Sequence, residues 1–138
     1  MSATRLLLDT CAILFVAEDA TISAEAKDAV NLAATDGNLF ISPISAWEIG
    51  RLAAHGKLAL RIDALAYFKA FMAHTGSNLC EIGLDVLVKS SFLPGQIYKD
   101  PMDRILVETA RQLDCTLVTR DRAILAYGEE GHLKTLAC

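Results

Sequence analysis

A chain of 138 residues and 14.9 kDa is the size of one domain and long enough to close a hydrophobic core. With 53% hydrophobic and 22% charged residues it is neither disordered nor a coiled coil. A net charge of −4 and a pI near 5.3 argue against a protein that grips nucleic acid through a basic surface. They argue less against a cluster of carboxylates built to hold divalent cations, which would itself lower the pI.

In chain order, Leu6-Leu7-Leu8-Asp9 reads as a short buried parallel strand ending in an acid. Helices are predicted over 12–18 and 23–35, the second capped by Ser23, and a strand over Leu39-Phe40-Ile41. Ser42-Pro43 restarts a helix, with Ser as cap and Pro at the first position, running to about His55 and stopping at Gly56. A helix over 62–75 places Leu65, Phe68, Phe71 and Met72 on its inward side, and Gly76 follows it. A strand from Leu79 to Ile82, a short helix over 84–92 and a helix opening at Asp100-Pro101 and running to about Leu113 come next. A strand over 116–119, a helical turn or two over 121–127 and a last strand from Leu133 to Leu136 complete the pattern.

Short apolar strands alternating with helices imply a three-layer α/β/α sandwich around a central, mostly parallel sheet, in one domain spanning 1–138. In such sheets ligands bind at the carboxyl ends of the strands, where Asp9 and the Thr119–Asp121 turn fall.

Four acids carry the chemistry. Asp9 and Asp121 each follow a strand, and each also suits the N-cap of the next helix. Asp103 stands third in its helix, at the head of a face that runs Asp103, Leu106, Ala110, Leu113, so it points inward. Asp100 shares its face with Arg104, Val107 and Arg111, and capping explains it. Asp103 could equally be a first-turn acid favoured by the helix dipole. Glu48 sits mid-helix between Ile44 and Leu52, where a charge is costly unless paired or metal-bound; Arg51 is the alternative partner. Together the four would repel one another unless a cation compensates. Oxygen donors without His or Cys suit Mg²⁺ or Mn²⁺, and the chemistry of such a site is in-line phosphodiester hydrolysis.

Thr119 offers a hydroxyl to orient a carboxylate. Among the bases flanking the acids (Arg51, Lys99, Arg104, Arg120 and Arg122), Arg104 and Arg120 are the candidates for phosphate contact. Trp47 either stacks on a base or packs in the core with Ile44 and Leu52, and its neighbourhood favours the core. The four cysteines, Cys11, Cys80, Cys115 and Cys138, show no metal spacing and no disulfide pattern and read as reduced, mostly buried thiols. Asp9 and Thr10 interrupt any signal-peptide core, and no stretch approaches the roughly 18 apolar residues of a membrane helix. A cytoplasmic protein with no membrane association is expected.

Four segments, in order and spacing, resemble the PIN-domain toxins of VapC type: Leu6-Leu7-Leu8-Asp9-Thr10; Ile41-Ser42-Pro43-Ile44-Ser45-Ala46-Trp47-Glu48-Ile49; Lys99-Asp100-Pro101-Met102-Asp103-Arg104-Ile105-Leu106; and Leu117-Val118-Thr119-Arg120-Asp121-Arg122. The resemblance implies a ribonuclease toxin of a type II toxin–antitoxin pair, using Mg²⁺ or Mn²⁺. It further implies an RNA substrate, a cognate antitoxin and a homodimer. It carries the family's acids onto Asp9, Glu48, Asp103 and Asp121, with Thr10 and Thr119 in support. The sequence departs from the family where Tyr98 stands in a frequent His position, Met102 in a frequent Phe position and Cys11 in another frequent His position. The departures at Tyr98 and Met102 bear on substrate fit and packing. A degenerate PIN-fold binding module is one rival reading, and an α/β domain phosphorylated on Asp9 is another. Against the latter, an Asp-x-Asp phosphatase wants an acid where Cys11 stands, and a receiver wants a lysine after strand 116–119, which is absent.

Overall fold

A computed structural model describes residues 4–18, 21–97 and 99–138; Tyr98, and with it the departure at the family's His position, lies outside the described residues. The elements run β1 (Leu6–Leu8), α1 (Thr10–Ala17), α2 (Ala24–Asp36), β2 (Leu39–Ile41), α3 (Pro43–Ala54), α4 (Ala64–Thr75), β3 (Asn78–Leu79), α5 (Leu84–Lys89), α6 (Pro101–Gln112), β4 (Thr116–Thr119), α7 (Arg122–Glu129) and β5 (Lys134–Ala137). The strands form one five-stranded sheet in the order β3-β2-β1-β4-β5, and every pairing is parallel. The mostly parallel sheet expected from sequence is therefore parallel throughout.

The brief apolar strands follow from burial on both faces. Leu6 and Leu8 point into one core with Ile13, Leu39, Ile41, Ile49, Phe68 and Phe71. Leu7 points into the other with Leu106, Val107, Leu117, Ile124 and Tyr127. A three-residue strand whose side chains all vanish from solvent needs no polar alternation. Helices cover both faces, giving three layers. Among the described residues no helix is long and apolar enough to cross a membrane.

The order of strands puts a switch point between β1 and β4. From β1 the chain steps outward to β2 and β3 on one side, then returns to lay β4 and β5 on the other. The connections leaving β1 and β4 therefore diverge and open a crevice at their carboxyl ends, the usual ligand position in an open parallel sheet. Leu8 pairs with Val118, so Asp9 and Thr119 are the next residues on the two strands.

Several sequence expectations are corrected. The helix expected from residue 12 begins at Thr10, because the Asp9 side chain accepts the Ala12 N–H and caps it. The strand expected over 79–82 is only Asn78–Leu79, at the sheet edge with one neighbour to pair, and Cys80 N–H adds a last bond to Ile41 O at 2.8 Å. Leu65 is exposed rather than packed, while Phe68 and Phe71 are buried. Cys80 and Cys115 are buried thiols, whereas Cys11 and Cys138 are only part-buried.

The segment between α5 and α6 is irregular but tightly held. Arg104 donates to Ser90 O at 2.9 Å and Ile97 O at 2.7 Å, and the Tyr127 hydroxyl donates to Pro94 O at 2.5 Å. Gly95, at φ 70°, lets this segment pass His132 so closely that a Cβ there would lie 2.7 Å from Nε2. These ties deliver Lys99 and Asp100 to the start of α6.

Candidate active site

Asp9 is 5% exposed at the end of β1 and all but one of its carboxylate lone pairs are engaged. Oδ1 accepts from Ala12 N–H at 2.9 Å and from the Cys11 thiol at 2.8 Å, and Oδ2 accepts from the Thr119 hydroxyl. That buried hydroxyl also accepts the Asp121 N–H at 3.0 Å, so one side chain joins the β1 acid to the turn after β4. Asp121 caps α7, Oδ1 accepting from Ile124 N–H at 3.1 Å. Thr10, also buried, donates to Ser45 Oγ at 3.0 Å and fastens the start of α1 to the start of α3, the helix that carries Glu48.

Lys99 occupies the middle. Its ammonium lies 2.5 Å from Asp121 Oδ2 and 3.5 Å from Asp103 Oδ2. The Asp121 hydrogen bond is the main cause holding the Lys99 ammonium above its ordinary range. Burial pushes the Asp121 carboxyl up, but Lys99 and the N–H groups of Ile124 and Ala123 outweigh it and hold the group below the usual carboxylate range. Asp103 goes the other way. Burial, then the neighbouring charge of Asp100, push its carboxyl up to about 7 against the pull of Lys99, with Glu48 adding to the rise. Glu48, half-buried on α3, is thus within electrostatic reach of Asp103, and among the described residues it makes no ion pair with Arg51. Asp100 caps α6 by accepting the Asp103 N–H at 3.1 Å.

The structure brings Asp9, Thr119, Asp121 and Lys99 into one bonded chain and sets Asp103 and Glu48 beside it. Two expected phosphate contacts are corrected. Arg104 is committed to the Ser90 and Ile97 carbonyls, and Arg120 donates to Cys138 O at 3.1 Å and Thr21 O at 2.6 Å with its guanidinium 3.9 Å over Phe15. Both guanidiniums hold backbone together. Trp47 is 57% exposed, not in the core, because α3 turns its 47–51–54 side outward. Lys99 and Ser45 are the residues that sequence reasoning left unassigned. The spacing of Lys99 four residues before Asp103 was the available signal for one of them.

Among the described residues no three His, Cys, Asp or Glu side chains already stand in a metal-binding arrangement. The donor chemistry nonetheless fits a hard divalent cation. All four candidate ligands are carboxylates, an ammonium stands between two of them, Asp103 and Asp121, and the raised carboxyl of Asp103 marks a site short of positive charge.

The sequence matches the PIN domain family over residues 6–130. The chain belongs to the PIN-domain family. This PIN domain is 29% identical over 125 residues to Ribonuclease VapC22 of Mycobacterium tuberculosis, covering 90% of this chain and 92% of the relative. It superposes on VapBC2 from Rickettsia felis, solved bound to a DNA fragment from its promoter, with a TM-score of 0.70 at 14% identity, over 97% of this chain and 98% of that one. It also matches a toxin–antitoxin complex from Klebsiella pneumoniae, with a TM-score of 0.55 at 25% identity, over 84% of this chain and 86% of the other. At its level of identity the Rickettsia likeness is one of fold, and it agrees with the parallel sheet and two helical layers of this PIN domain.

Proposed function

We propose that the chain is a single PIN domain over residues 1–138 that acts as a metal-dependent endoribonuclease, the toxin of a type II toxin–antitoxin pair, with RNA as substrate and Mg²⁺ or Mn²⁺ as its ion. The observation that carries this reading is the Lys99 ammonium lodged between Asp103 and Asp121 at the sheet's switch point, where acids converge without enough compensating charge. Asp9, Glu48, Asp103 and Asp121 would hold the ion. When bound, it supplies Lewis-acid charge at the scissile phosphate and acidifies water for in-line attack. The protein's own share is positioning. Thr119 fixes Asp9 and the Asp121 turn, and Thr10 with Ser45 fixes the helix that carries Glu48. Lys99, between Asp103 and Asp121, would be placed to pair with a substrate phosphate.

The relative named a ribonuclease supports the activity, and the structural neighbour named a toxin–antitoxin complex supports a cognate antitoxin partner. The free thiols support a reducing, cytoplasmic setting. A homodimer is supported by the exposed apolar side chains of α5, Leu84, Leu87 and Val88, and of Phe92 just beyond it, with Leu84 and Phe92 each 79% exposed.

Purified protein should degrade an RNA pool with Mg²⁺ or Mn²⁺, fall silent in EDTA, and leave 5′-phosphate and 3′-hydroxyl ends. Cleavage that persists without metal, or products with 2′,3′-cyclic phosphates, overturns the mechanism. Growth arrest on expression, relieved by the protein encoded beside it, tests the toxin role separately.

A further inference from the structure

Asp9 has four lone-pair directions on its carboxylate, and the fold has spent three of them. Both on Oδ1 are taken, by the Ala12 N–H at 2.9 Å and the Cys11 thiol at 2.8 Å. One on Oδ2 is taken by the Thr119 hydroxyl. The Arg120 backbone also hydrogen-bonds the thiol. Ala12 N–H and Thr119 serve the fold whether or not a cation binds: one is the first-turn donor of α1, the other ties β1 to the turn after β4. Cys11 does neither. Among the described residues its one hydrogen-bond acceptor is Asp9 Oδ1.

We infer that Cys11 is a positioning residue that sets which divalent cation the site accepts, by closing Oδ1 and leaving Asp9 a single Oδ2 lone pair to offer. A carboxylate open on one oxygen binds a cation through that oxygen alone. Mg²⁺ accepts this, because it demands near-octahedral geometry from single oxygens at short distance. Ca²⁺ is larger, takes more ligands and gains from carboxylates that chelate with both oxygens. Cys11 therefore discriminates against the larger ion without touching either. This rests on Asp9 being a metal ligand, as proposed above.

The experiment follows Mn²⁺ bound to the purified protein by electron paramagnetic resonance and displaces it with Mg²⁺ or with Ca²⁺. Cys11→Ala removes the donor and frees Oδ1, and Cys11→Ser keeps a donor. Removing a partner of a metal-ligating group typically changes affinity by about 10- to 100-fold. The Ca²⁺-to-Mg²⁺ preference of Cys11→Ala should therefore move toward Ca²⁺ by about tenfold or more. Cys11→Ser should stay close to the parent. An unchanged ratio in Cys11→Ala, in protein that still holds Mn²⁺, overturns this inference alone. A parent protein that holds no Mn²⁺ overturns it together with the metal-dependent reading. A thiolate-to-cobalt charge-transfer band in Co²⁺-loaded protein, lost in Cys11→Ala, makes Cys11 a ligand and overturns the positioning role. Should Cys11→Ala fail to fold, crystals of the parent soaked in Mn²⁺ decide: a cation on Oδ2 alone supports the inference, and one bridging both Asp9 oxygens overturns it.

Discussion

Lys99 and Asp121 are joined by a 2.5 Å contact between the approach to α6 and the end of β4, residues 22 apart in sequence. The same ammonium reaches Asp103 at 3.5 Å. Under the proposed function a lysine in this position would compete with a divalent cation for the same oxygens, and it offsets the repulsion among the carboxylates without metal.

Replacing it tests both roles at once. Lys99→Met retains the aliphatic stem and deletes the charge. The metal-free protein should lose about 1 kcal/mol, the scale of a largely solvent-screened ion pair, or a few degrees of melting temperature. The gain in melting temperature on adding Mg²⁺ should be larger than in the parent, because the ion no longer displaces an ammonium. A smaller gain would mean that Lys99 assists the cation rather than standing in for it.

The Asp103 carboxyl gives a pH dependence of unusual sign. Its native value of about 7 lies above the ordinary 3.8, so between those limits the folded protein holds a proton that the unfolded chain has released. Stability from this group is present at low pH and is lost as pH rises through about 7, the reverse of a normal salt-bridged acid. Asp121, held below its ordinary value, contributes in the usual direction, with stability present above pH 3.8 and lost only as pH falls below it. Melting the metal-free protein from pH 5 to pH 8 should show a decline that Asp103→Asn abolishes. Mg²⁺ affinity should rise over the same range, since the ion must displace the Asp103 proton.

How much of this was legible in the sequence depends on where each residue's partners lie. Asp9 and Asp121 end apolar runs that can only be buried parallel strands, so their arrival at one sheet edge follows from the pattern. Glu48 announced itself by interrupting an apolar helix face. Trp47, one residue before it, did not read correctly, because sharing a helix side with Ile44 does not say which side the rest of the fold covers. Arg104 and Arg120 look like free cations in a string of letters. Their acceptors are backbone carbonyls at Ser90 and Ile97, and at Thr21 and Cys138, and a carbonyl carries no residue-type signal. Lys99 was legible only as far as Asp103; its stronger partner, Asp121, is a tertiary neighbour.

The α5 face makes a prediction about assembly. Asp85 and Lys89 lie four residues apart, and among the described residues neither has an ion-pair partner. Two copies packed antiparallel about a two-fold axis bring each Asp85 to the other's Lys89 while burying Leu84, Val88 and Phe92. Val88→Glu, at an exposed position, should leave the melting temperature of dilute protein nearly unchanged and shift sedimentation from dimer to monomer. A parent protein that sediments as a monomer at all concentrations removes the dimer from the proposed function.

Asp100 caps α6, and the proposed function gives Asp103, one helical turn on, the ligand role. Asp100 spends its carboxylate on the Asp103 N–H at 3.1 Å, and Asn caps a helix about as well as Asp. Asp100→Asn should therefore leave cleavage within a few-fold of the parent. It removes a negative neighbour that raises the Asp103 carboxyl, so the pH decline in metal-free stability should end at a lower pH and be smaller. Asp103→Asn is nearly isosteric but exchanges an anionic ligand for a neutral amide. Cleavage should fall by about two or more orders of magnitude, because the ion's charge at the phosphate depends on its ligands. Metal-free stability near pH 8 should hold or rise, since one member of a mutually repelling group is gone. The two measurements together are decisive. A dead but unfolded Asp103→Asn would indicate a structural role, while a dead Asp100→Asn beside an active Asp103→Asn would move the site by one helical turn and place Asp100, not Asp103, among the ligands.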